Sequence, residues 1–115
     1  MNPRELFEET KESRKLLVKA MPEVMGAVSD GNKKALQEGA LAVKTKEFIS
    51  LGMSIMIMCD ECILHHTINL VDLGATREEF IECLETAIAL QSCPGMKFSQ
   101  LALEYFDELN NKESF

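Results

Sequence analysis

This sequence predicts an all-α fold, a helical bundle of about six helices, and three observations point to it. Leu, Ile, Met and Ala dominate the 46% apolar content, Trp is absent and Tyr occurs once, a mixture that favours helix over sheet. Apolar residues recur at spacings of three and four along most of the chain, the period of one buried helical face. No run of alternating β-branched residues marks a strand anywhere. With 115 residues the chain matches one ordinary domain, 1–115, large enough for one core and small enough to call for partners that cover its apolar surface.

The elements follow in order. In "NPRELF", Asn2 is placed to cap a first helix and Pro3 to occupy its first position, where the missing amide proton costs nothing; this helix runs to about Ala20. Pro22 opens a short second segment that ends near "SDGN", read as a turn at residues 29–32 before a brief helix in "KKALQEGAL". Thr45 is expected to cap a helix whose apolar positions Phe48, Ile49, Gly52, Ile55 and Met56 form one face. Met53, Met56 and Met58 are assigned to the core there. From Asp60 to Leu73 the spacing of Cys62, Ile63, His66, Leu70 and Leu73 is again helical, and Gly74 supplies a stop. "TREE" reads as a capping box in which Thr76 and Glu79 bond each other's backbone. Its helix carries Phe80, Cys83, Leu84, Ala87, Ile88 and Gln91 until Pro94 and Gly95, with Cys93 in a loop. "MKFSQLALEYFDELN" closes the chain as an amphipathic helix.

Charge and hydropathy exclude several function classes. Twelve Lys and Arg stand against nineteen Asp and Glu, with no basic stripe to neutralise phosphates, so nucleic acid is not an expected partner. The apolar window Phe48 to Met58 has eleven residues, well short of a membrane span, so no membrane partner is expected either. The N-terminus lacks the basic-then-apolar order of a signal peptide, which predicts a cytoplasmic protein. In a reducing compartment a CxxC pair is more often catalytic or metal-binding than a structural disulfide.

The chemistry concentrates in "CDECILHH", residues 59–66. On a helix Cys59, Cys62 and His66 lie at i, i+3 and i+7, along one stripe. A thiol at a helix N-terminus gains from unpaired amides and the positive dipole end, which stabilise the reactive thiolate. His66, one turn beyond Cys62, can exchange protons with it. Asp60 and Glu61 work the other way, because negative charge close to a thiol opposes ionisation. Two rival readings stand beside this one. The cysteines could simply pack in the core, or Cys59 and Cys62 with His65 or His66 could hold zinc, although zinc sites usually draw on a second distant pair and Cys83 and Cys93 are differently placed. His65 points about 100° away from His66 and reads as a surface or interface residue, and Cys83 as a small core hydrophobe.

Glu47, Cys59, Cys62 and His66, followed by "GATREEFIECLETA", resemble the alkylhydroperoxidase D and carboxymuconolactone decarboxylase family over roughly Leu36 to Met96. The resemblance implies an all-helical subunit that forms a homotrimer or homohexamer and acts, without a cofactor, as a thiol peroxidase or disulfide reductase. It implies that Cys62 attacks the peroxide, Cys59 resolves, and His66 and Glu47 form a proton relay. The implied partners are a small hydroperoxide or disulfide substrate and a thiol or dithiol electron donor. Glu47 enters through the resemblance alone; by itself it reads as a solvated acid in a first helical turn. Glu61 stands where alkylhydroperoxidase D has a histidine, which predicts weaker peroxide turnover. Decarboxylases of the family lack the CxxC pair, which counts against lactone chemistry.

Overall fold

The computed structural model describes residues 1–110; residues 111–115, the end of the expected single domain, lie outside the described residues. Among the described residues there are six α-helices and no strand: α1 Pro3–Ala20, α2 Pro22–Ala35, α3 Val43–Met56, α4 Asp60–Asp72, α5 Arg77–Gln91 and α6 Cys93–Asn110.

Local signals set most boundaries. Asn2 accepts the Glu5 amide at 2.9 Å while Glu5 bonds back to the Asn2 amide at 3.1 Å, so two of the orphan donors at the start of α1 are satisfied. Thr76 and Glu79 do the same at α5. Gly74, at φ 79°, ends α4 in a Schellman arrangement: its amide bonds the Val71 carbonyl and the Ala75 amide bonds that of Leu70. That left-handed backbone is open to glycine at little steric cost.

Leu51 and Ile55 of α3, Ile63 and Leu70 of α4, Phe80, Leu84 and Ala87 of α5, and Ala102 and Phe106 of α6 form one buried cluster. Phe80 is fully buried and stacks on Phe106 with centroids 4.4 Å apart; burying a side chain of that size stabilises by about 3 kcal/mol. α1 lies against α4, held by buried Pro3 and by an Arg4–Asp72 ion pair of 2.8 Å. α2 packs on α1 and buries no residue.

Four expectations are corrected. "SDGN" is not a turn: α2 runs through it to Ala35, and no separate helix follows. These residues are exposed, so nothing in the packing forces a bend, and the stop comes from α3, whose Lys46 ammonium donates to the carbonyls of Ala35 and Gln37. Thr45 does not cap α3. The N-cap is Ala42, without a side-chain bond, and Glu38 instead accepts the Val43 amide at 3.1 Å. Cys93 is helical, because α5 breaks at Ser92 (φ 53°) and α6 starts at once, with Pro94 in its first turn where its missing donor is harmless and Gly95 buried against the α5 backbone.

The fourth correction concerns the methionines. Met53, Met56 and Met58 are exposed by 63%, 39% and 52%, not in the core. The inner face of α3 is Glu47, Leu51, Ser54 and Ile55. Its other apolar stripe, with Ile49 and Met53, joins Cys83 and Leu90 of α5 in an open apolar groove of about 740 Å³.

Candidate active site

The α3–α4 corner brings the predicted residues together. After α3 the chain turns through Ile57 and Met58, the latter at φ 57°, and the Cys59 amide bonds back to the Ser54 carbonyl at 3.1 Å. Cys59 thus becomes the N-cap of α4, its Sγ accepting the Cys62 amide at 3.2 Å. The two cysteines form a disulfide with their Cα atoms 5.3 Å apart. One turn at the head of a helix therefore carries both sulfurs, where the helix dipole favours a thiolate once the bond is reduced.

Glu47 and His66 meet beneath this turn. His66 Nδ1 lies 2.7 Å from Glu47 Oε1, and Asn69, one turn further along α4, donates to the same oxygen at 3.3 Å. Glu47 is 3% exposed. Burial works to raise its carboxyl pKa, but the bonds from His66 and Asn69 and the nearby imidazoles outweigh burial and hold the carboxyl below its ordinary value. The carboxylate is therefore ionised at neutral pH, which assigns the Nδ1 proton to His66 as donor and leaves Nε2 able to accept.

Cys62, His65 and His66 line a cleft of about 690 Å³ whose other walls come from α1, α2 and α3, including Phe7, Arg14, Asn32 and Ser50. His65 is exposed, as expected, yet it belongs to this wall: its ring tilts against Phe7 at 5.0 Å and stacks on His66 at 5.1 Å. Partial desolvation by the cleft walls, then the neighbouring His66 and Lys11, lower its pKa, with partial relief from Glu47. Lys11 sits over the Phe7 ring at 4.9 Å. Glu61 does not stand alone between the thiols, because the Arg14 guanidinium of α1 pairs with its carboxylate.

Sequence reasoning missed Arg14, Phe7 and Asn69. Phe7 and Arg14 are seven apart on one face of α1 and Asn69 is three beyond His66, a periodic signal that alone does not say which helix they meet. Cys83 is half-buried, its thiol pointing at the Phe48 carbonyl at 3.5 Å, and burial pushes its pKa up to about 11. It lines the apolar groove and not the cleft. Cys93 is exposed. The described residues hold no group of three or more His, Cys, Asp or Glu side chains placed to bind a metal ion. None of the described helices is long and apolar enough to cross a membrane.

The family model for the carboxymuconolactone decarboxylase family matches residues 22–104, more of the chain than the stretch that carries the motif resemblance. An uncharacterized protein of Cupriavidus necator is 37% identical over 94 residues, covering 82% of this chain and 83% of its own. Among solved structures, a carboxymuconolactone decarboxylase family protein of Legionella pneumophila is similar with a TM-score of 0.89 and 33% identity, over 95% of this chain and 97% of that one. Another, from Thermotoga maritima, with a suggested involvement in antioxidative response, is similar with a TM-score of 0.83 and 27% identity, over 93% and 92%. The helices, the CxxC pair at the head of α4 and these matches agree: the chain belongs to the carboxymuconolactone decarboxylase family.

Proposed function

We propose that this protein is a dithiol oxidoreductase that reduces hydroperoxides or disulfides by cycling Cys59 and Cys62 between two thiols and a disulfide. The observation that carries the reading is the Cys59–Cys62 disulfide at the N-terminus of α4, beside a buried Glu47–His66 pair. Cys62 lines the cleft together with His66, while Cys59 serves as helix cap, which supports Cys62 as the attacking thiol and Cys59 as the resolving one.

A hydroperoxide is reduced in two steps. His66 Nε2 takes the Cys62 proton, and the thiolate attacks the outer peroxide oxygen, breaking the O–O bond to leave a sulfenic acid and an alcohol that takes up a proton. The Cys59 thiolate then attacks Cys62 Sγ, the S–S bond forms and hydroxide leaves as water. With a disulfide substrate, Cys62 attacks one sulfur and Cys59 resolves the mixed disulfide, releasing two thiols. A thiol or dithiol donor of the reducing cytoplasm returns the pair to the reduced state. Glu47 keeps its charge throughout and orients the imidazole.

The exposed apolar groove between α3 and α5 supports self-association, since an open apolar surface of this kind is characteristic of an interface; the proposed assembly is a homotrimer or homohexamer. Turnover tests the reading. With dithiothreitol as donor, the wild type should consume a small organic hydroperoxide or a low-molecular-weight disulfide, and Cys62→Ser should consume neither. Equal turnover by the two proteins would overturn it.

A further inference from the structure

The negative charge between the two thiols has a partner that the CxxC motif does not contain. Glu61 sits in the first turn of α4, exposed enough to be solvated by water alone, yet Arg14, 47 residues away on α1, pairs with it. An exposed pair of this kind adds little to stability, and α1 is already fastened to α4 by the Arg4–Asp72 pair and by Phe7 against His65. Its consequence is electrostatic and local. Arg14, Glu61 and Cys62 all line the same cleft, so a lone carboxylate there would act directly on the ionising sulfur.

We propose that Arg14 is a positioning residue for the dithiol chemistry: its guanidinium holds Glu61 at the rim of the cleft and cancels the charge that would otherwise suppress the Cys62 thiolate. The inference rests on the dithiol reading above and names the residue that lets a CxxC with Glu61 in its middle react. The other charged groups around Cys62 are few. On α4 they are Asp60, His65 and His66; on α3, Glu47, already committed to His66; on α1, Lys11, paired with Glu8. On α6, Lys97 and Glu104 share a hollow with Asp60, and Tyr105, pushed up by burial and then by Asp60 and its neighbouring acids, stays neutral. From α2 only Ser29, Asn32, Ala35 and Leu36 reach the cleft. Arg14 is therefore the cation that faces Glu61.

A carboxylate on the residue next to the thiol, partly screened by water, changes the thiolate fraction by about five- to tenfold. The test follows alkylation of Cys62 by iodoacetamide as a function of pH, read by peptide mass, in reduced protein carrying Cys59→Ser, because serine caps a helix as well. Arg14→Gln should shift the profile to higher pH and slow alkylation at pH 7 by about five- to tenfold. Glu61→Gln should not slow it, Arg14→Gln with Glu61→Gln should return to the parent rate, and Arg14→Lys should keep most of it. An unchanged profile for Arg14→Gln overturns the proposal. So does a double variant as slow as Arg14→Gln, which would mean that Arg14 does not act through Glu61. No peroxide or disulfide substrate is present, so this result is separate from turnover. A protein that shows the Arg14 effect without turnover refutes the dithiol reading alone.

Discussion

Replacing Glu47 tests whether the carboxylate beneath the disulfide is a charged partner of His66 or a surface acid of the first helical turn. Glu47 accepts from His66 at 2.7 Å and from Asn69 at 3.3 Å while 3% exposed. Ala at this position leaves both donors without an acceptor, costing about 3 kcal/mol; Gln keeps both bonds but loses the charge, costing about 1 kcal/mol. At about 4 °C per kcal/mol for a domain of this size, the melting temperature falls by about 12 °C and about 4 °C respectively. The pH dependence has a definite sign. The folded-state pKa lies below the ordinary value of 4.5, so the stabilisation by the charge is complete above that value and is lost as pH falls through the lower folded value. Thermal unfolding followed by circular dichroism should show a gap between wild type and Glu47→Gln at pH 7 that narrows as the pH falls below 4.5. An Ala variant as stable as wild type, or a Gln gap that does not narrow on acidification, would refute the reasoning. Peroxide-driven disulfide formation should also slow by about 10²-fold in Glu47→Ala, because the imidazole that takes the Cys62 proton loses the carboxylate that orients it.

A β-carbon at Gly95 would lie 3.1 Å from Ile88 Cα and 3.2 Å from the Ala87 carbonyl oxygen, so Gly95→Ala should destabilise by about 1–2 kcal/mol in urea unfolding, while Gly26→Ala, with open space around it, should stabilise by about 0.5–1 kcal/mol; the reverse order would contradict the α5–α6 packing. Because burial raises the Cys83 thiol to about 11 and Cys93 is exposed, iodoacetamide at pH 8 should label Cys93 of the oxidised protein and leave Cys83 almost untouched, and equal labelling would refute the burial. Met53→Lys combined with Leu90→Lys should lower the mass of the proposed homo-oligomer in sedimentation equilibrium, whereas an unchanged mass would show that the apolar groove is not the interface.

What the sequence made legible is what short-range chemistry decides. The caps at Asn2 and Thr76 and the stop at Gly74 are each made within a few residues, and the stripe joining Cys59, Cys62 and His66 follows from helical spacing once α4 is placed. The "SDGN" turn failed for the opposite reason: four exposed residues carry no packing instruction, and the true end of α2 is set by Lys46 from another helix. Met53 and Met56 read as core residues in the sequence because α3 carries two apolar stripes, and periodicity does not distinguish the stripe that faces the core from the one left open. Glu47 was reachable only by resemblance, since a first-turn acid is ordinarily solvated. Arg14 and Asn69 become partners of the site only through the way α1 and α3 pack on α4, which a one-dimensional pattern does not specify.

In the proposed reaction Cys59 and Cys62 are one redox unit with Cys62 as its attacking thiol. Fully reduced protein treated with one equivalent of a small organic hydroperoxide, quenched with iodoacetamide and mapped by peptide mass spectrometry, tests it most directly. The expected result is loss of two thiols per chain, a single new Cys59–Cys62 disulfide, a sulfenic acid at Cys62 in Cys59→Ser, and no oxidation at Cys59 in Cys62→Ser. An unchanged thiol count, or oxidation confined to Cys93, would contradict it.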